Sequence, residues 1–142
     1  MTYATLDQLT DQYGAHMLVL LTDRGDVATG EIDAEVVARA LEDADALIDG
    51  FLKDRYALPL AEVPVLLSKI ARRIAIWELH RQKPDEKIET DYKDALATLD
   101  RIGSGKIRLS IAGVEPEGVK ATGVRVSDRV RPLTVDNLKG FV

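Results

Sequence analysis

At 142 residues, 46% hydrophobic and 30% charged, the chain has the size and composition of one globular domain and is too apolar for wholesale disorder. It has no cysteine, which excludes disulfides and thiolate chemistry, and no apolar run near the ~20 residues of a membrane span. The net charge of −5 disfavours a dedicated nucleic-acid binder, and it is unevenly placed: residues 1–62 hold 13 acids and 4 bases, residues 63–142 hold 11 and 15.

The opening MTYATLDQLT lacks a basic start before an apolar run, so a secretory signal is not expected. Thr5 and Gln8 have the spacing of a capping box, Leu6, Leu9 and Tyr13 recur at helical spacing, and Gly14 suits a stop, which predicts a first helix. The short apolar piece from Met17 to Leu21 fits a helical turn or two as well as a strand. Residues 22–33 form a polar loop, and Asp33 is a natural N-cap for the next helix. There Val36, Val37, Ala40, Leu41, Ala44, Leu47, Ile48, Phe51 and Leu52 make one apolar stripe, opposite an arc of Glu42, Asp43, Asp45, Asp49 and Lys53. Gly50 lies inside this helix, where either a close backbone approach or simple tolerance explains it.

The segment Tyr56-Ala-Leu-Pro-Leu ends that helix, and Pro64 suits the first turn of another, which runs to about Gln82 before Pro84. Its stripe is Leu66, Leu67, Ile70, Ala71, Ile74, Ala75 and Trp77. Its other arc holds Lys69, Arg72, Arg73 and His80 with Ile76 in their midst. A last helix begins near Pro84 or Asp85, buries Ile88, Tyr92, Ala95, Leu96, Leu99 and Ile102, and ends at Gly103. Ile107, Leu109 and Ile111 then alternate with polar residues, which predicts a short strand over 106–111. Residues 112–142, broken by Gly113, Pro116, Gly118, Gly123, Pro132 and Gly140, show no helical stripe and read as an extended arm. The fold class is therefore mainly α: a four-helix domain with a short β element and an extended C-terminal arm, divided as a helical core over 1–104 and strand plus arm over 105–142.

No constellation for catalysis stands out, so no enzyme activity, metal site or cofactor is expected. Placing Gly30 at the sixth position of a calcium loop leaves Gly25, Val27 and Thr29 where acids are required. Gly103-Ser-Gly-Lys106 lacks the upstream glycine of a P-loop and follows a helix rather than a strand. His16 and His80 have no metal-like companion, and none of Ser68, Ser104, Ser110 and Ser127 stands in a nucleophile elbow. Lys69, Arg72 and Arg73 fit a solvated basic face, or phosphate contacts in a DNA-binding regulator. Ile76 among those cations is either one exposed isoleucine or part of a subunit contact.

The opening MTYATLDQLTDQYG, the loop LTDRGDVATGEIDAEVV, the run ALIDGFLKDRYALPL and the helix VPVLLSKIARRIAIWELHR resemble the phage Mu gp36-like family. The resemblance runs from residue 1 to about 110, and its most specific pieces are Ile48-Asp49-Gly50-Phe51-Leu52 and Arg55-Tyr56-Ala57-Leu58-Pro59-Leu60. That family is similar to head–tail connector (adaptor) proteins of tailed phages. The resemblance implies a small helical subunit at the head–tail junction of a virion, in host cytoplasm during assembly. Twelve copies would usually form a ring beneath the portal, extend the channel through which DNA passes unread, and present a platform to a tail or stopper protein, with no membrane involved. A head-closure or tail-completion factor at a lower ring is the nearest rival. The candidate subunit patches are Glu42, Asp45 and Asp49 against Lys69, Arg72, Arg73 and Ile76. Lys120, Arg125, Arg129 and Arg131 are candidates for contact with portal or channel DNA.

Overall fold

A computed structural model describes residues 1–111. It contains α1 (Leu6–Tyr13), α2 (Ala15–Thr22), α3 (Ala34–Leu52), α4 (Val65–Leu79) and α5 (Glu86–Gly103). The described residues are mainly helical, with five helices where the sequence pattern predicted four. The apolar piece after Gly14 is α2. Gly14 takes φ +88°, a conformation that L side chains adopt reluctantly, and so lets one residue end α1 and begin α2 at an angle.

Local chemistry sets the helix starts. Thr5 accepts from the Gln8 backbone N–H and the Gln8 side chain accepts from that of Thr5, a complete capping box. Asp33 caps α3 by accepting from Glu35 and Val36. Thr22 closes the base of the polar loop, donating to Leu18 O at 2.7 Å and accepting from Asp33 N at 3.0 Å.

The core is a packed trio of α3, α4 and α5, with α1 laid over α3 and α4. Val37, Ala40, Leu41, Ala44, Ile48 and Leu52 of α3 meet Leu67, Ile70, Ala71, Ile74 and Ala75 of α4, while α5 adds Ile88, Ala95, Leu99 and Ile102. Each fully buried large side chain contributes about 1.5–3 kcal/mol. Trp77 stacks on Tyr92 with ring centroids 4.5 Å apart, joining α4 to α5. Helix α4 stops at Leu79, short of Gln82, where His80 takes an extended backbone conformation.

Two expectations change here, for Ile76 and the strand, and of the two readings of Gly50 tolerance is the one that holds. Ile76 is fully buried rather than exposed amid cations. Helix α4 packs on α3, α5 and α1, so more than half of its circumference is covered. Nothing approaches a Cβ built at Gly50, whereas one at Gly103 would meet Phe51 O at 2.9 Å, so the close approach belongs to Gly103. The predicted strand over 106–111 is absent, and the described residues contain no strand. The alternation is nevertheless physical: Leu109 and Ile111 are buried and Ile107 packs partly against the core, so one side of an extended segment lies on the helices. Its amides bond to a helix end and a side chain instead of a second strand: Ile107 N to Arg101 O, and Leu109 N to the Tyr56 hydroxyl, both at 3.1 Å. The arm beyond 111 lies outside the described residues.

Candidate interaction surface

The acidic arc of α3 divides in two. Glu42 and Asp43 are exposed, while Asp45 and Asp49, one turn apart, hold the N-terminal segment. Tyr3 is buried, its backbone N–H donates to Asp45 Oδ1 at 2.9 Å, and its hydroxyl donates to Asp49 Oδ1 at 2.5 Å. Burial pushes the Asp45 carboxyl above its ordinary value, against the opposing pull of the Tyr3 N–H and the chain's amino terminus. The Tyr3 phenol is raised too, first by burial and then by Asp49. Asp45 and Asp49 are thus engaged inside the subunit.

The basic arc of α4 is also partly consumed. Lys69 is exposed, but Arg72 and Arg73 are half-buried under α1 and α5. Arg73 approaches Asp91 at 3.7 Å. Tyr13 lies close enough that Asp91 raises its phenol, after burial, while both arginines oppose the shift. Ile76, inside the core, is unavailable to a neighbouring copy. Lys120, Arg125, Arg129 and Arg131 lie outside the described residues.

The loop after α2 is organised around one carboxylate. Asp23 accepts from the backbone N–H groups of Thr29 and Gly30, each at 3.0 Å through Oδ2, and from the Thr29 hydroxyl. The Gly30 and Thr29 N–H groups hold its carboxyl below the usual range. Donors therefore surround the loop's first acid, and among the described residues no group of three potential metal ligands converges.

Arg24 is the residue that pattern reading missed. Its Nε donates to Leu21 O at 2.9 Å and its Nη2 to Leu79 O at 2.7 Å, so one guanidinium satisfies carbonyls at the ends of α2 and α4. Beside it opens a cleft of about 410 Å³ lined by Leu20, Asp23, Arg24, His80, Arg81 and Lys83, among others. Leu20 is 69% exposed there, and Arg81 and Lys83 are exposed. No sequence signal marked this cleft, because it joins residues some 60 positions apart.

At the other end of the core, the Arg55-Tyr56 pair grips the chain where it leaves α5. Tyr56 is buried and accepts the Leu109 amide. Gly105, at φ +80°, lies under the Arg55 guanidinium, in the space a Cβ would occupy. The most specific run of the chain therefore sets how residues 103–111 run along the core after α5.

These features define a small helical domain with a tied-down N-terminal segment, a pinned C-terminal exit and a cationic cleft at the far end. No helix among the described residues is long and apolar enough to cross a membrane. The chain belongs to the Bacteriophage Mu Gp36 family, which it matches over residues 3–128. It is 35% identical to Gene product J of Escherichia phage Mu, with both chains covered in full. It is 30% identical to the Mu-like prophage FluMu protein gp36 of Haemophilus influenzae, over 78% of this chain and 79% of the relative.

Proposed function

We propose that this phage-family protein is a structural subunit of the head–tail junction, a connector whose copies form a ring that docks on the portal and extends the DNA channel. Membership of the phage Mu family over nearly the whole chain is the observation that carries this reading. The architecture supports it: a helical body holds residues 103–111 at a fixed place on its core, which suits a subunit that makes ordered contacts with neighbours. A ring requires heterologous contacts, in which one patch meets a different patch on the next copy. Within the body, Asp45, Asp49 and Arg73 have internal partners, Ile76 lies in the core and Arg72 is half-buried, which leaves Glu42, Asp43 and Lys69 exposed for such contacts. The protein acts by assembly rather than catalysis and takes no cofactor. DNA passes it without sequence reading, and Lys120, Arg125, Arg129 and Arg131 are its candidates for portal or channel contact.

Mixing the purified protein with assembled portal and imaging the product by electron microscopy tests this. A ring of added density on the portal is expected. If the protein binds only after another connector protein is in place, it belongs to a lower ring. Salt-sensitive DNA binding without portal binding would overturn the reading in favour of a regulator.

A further inference from the structure

The cleft beside Arg24 has an unbalanced set of charges. Arg24 is committed to two carbonyls, and burial together with the neighbouring Arg81 holds its guanidinium below the ordinary value. Among the described residues, neither Arg81 nor Lys83 takes part in an ion pair. Asp23, the acid in the lining, is turned to the Thr29 and Gly30 amides. Two exposed cations therefore flank the exposed Leu20 in one groove, a surface that fits an extended segment bearing carboxylates and a small apolar side chain.

The sequence beyond the described residues supplies one: residues 114–119 read Val-Glu-Pro-Glu-Gly-Val. Glu115 and Glu117 share one side of an extended chain, and Pro116 favours extension. The reach of the chain decides which copy this segment meets. The cleft adjoins Leu79, and the neighbouring groove places Leu79 beside Val36 at the start of α3. The exit of α5 lies beside Phe51 at the other end of α3. Val36 and Phe51 are about 22 Å apart along a helix rising ~1.5 Å per residue. The last described tie is Leu109 to the Tyr56 hydroxyl, and from Leu109 the chain reaches at most about 21 Å to Glu115 and about 28 Å to Glu117, so its own cleft is met only by a nearly straight run, whereas a second copy can bring its cleft to the segment.

We propose that the cleft formed by Leu20, Arg81 and Lys83 receives residues 114–119 of a second copy of this chain. Each copy then offers a cleft at one end and a strap at the other, a head-to-tail contact that repeats around a ring. The proposal deepens the connector reading and rests on it for ring closure, whereas the pairwise contact stands alone.

The absence of native cysteine makes the test direct. The full-length double variant Leu20→Cys with Val114→Cys is oxidised, both in concentrated solution and in assembled particles. A ladder of disulfide-linked dimers and larger species is expected. Adding Arg81→Glu and Lys83→Glu should cut it about tenfold. Adding Glu115→Lys and Glu117→Lys to those reversals should bring it back. Cross-links confined to single chains, or none in either setting, overturn the proposal, as does a ladder indifferent to the charge reversals. Portal binding without a ladder leaves the connector reading standing and removes this contact. A ladder from a protein that never binds portal does the reverse.

Discussion

Tyr3 and Tyr56 are both buried, and each ties a chain segment to the helical core, yet they do so with opposite chemistry. Tyr3 donates from backbone and hydroxyl to two carboxylates on α3, and solvent reaches one of the two, Asp49. Tyr56, itself buried, accepts a single backbone amide, and in the same exit Gly103 leaves no room for a Cβ against Phe51 O. The N-terminal tie is charge-assisted and rests on an acid that burial disfavours, so its strength depends on pH. The C-terminal tie is neutral and steric, so it does not. A segment whose exit direction must be fixed is held by shape, and a segment that only has to lie down is held by charge.

The largest effect is expected at the C-terminal exit. Gly103→Ala drives a Cβ into Phe51 O and should cost about 1–3 kcal/mol by thermal or urea unfolding, despite alanine's better helix propensity. Gly50→Ala, in open space on the same pair of helices, should instead gain about 0.5–1 kcal/mol. If the two glycines respond alike, the steric account of the exit fails.

Tyr56→Phe leaves the Leu109 amide buried and unpaired, at about 1–3 kcal/mol. Amide hydrogen exchange should show protection lost at Leu109 before the helices open. Tyr3→Phe should cost less, about 0.5–1.5 kcal/mol, because water can replace the hydroxyl at the half-exposed Asp49. A larger loss for Tyr3→Phe than for Tyr56→Phe would reverse the contrast.

The smallest effect separates charge from hydrogen bonding. The Asp45 carboxyl is raised in the folded state, so the unfolded chain ionises first. As pH rises from below the unfolded value of about 4 through the folded value, ionising Asp45 costs stability, and the full cost persists at neutral pH. Asp45→Asn keeps an oxygen for the Tyr3 N–H without the charge. It should equal or slightly exceed the wild type at pH 7, with the difference disappearing in acid. Asp45→Ala, lacking the acceptor, should be the less stable of the two variants across the range. Unfolding curves of the three proteins at several pH values check the order.

Much of this contrast was invisible in the sequence for a definite reason. The capping box at Thr5 and Gln8, the Asp33 cap and the stripe of α3 are local, and their spacing was enough to find them. Asp45 and Ile76 were misplaced because a helical wheel gives each helix one dry face. Helix α4 has three packed neighbours, and α3 is covered on its acidic side by the chain's own first residues. The alternation of Ile107, Leu109 and Ile111 reported an extended backbone correctly, but periodicity carries no information about whether a partner strand exists. Of the candidate site, the charged arcs were legible as composition, whereas the cleft at Leu20, Arg24, Arg81 and Lys83 was not.

By itself, the sequence determined the helical class, the starts of the helices, most of the core and the kinship with phage Mu, since caps, periodicity and motif runs act between residues a few positions apart. Only the tertiary structure decided which charges are spent inside the subunit, which glycine is a close approach, and where a cationic cleft opens. Those depend on which helix faces meet, and that is settled by the joint burial of α3, α4 and α5 rather than by any one segment.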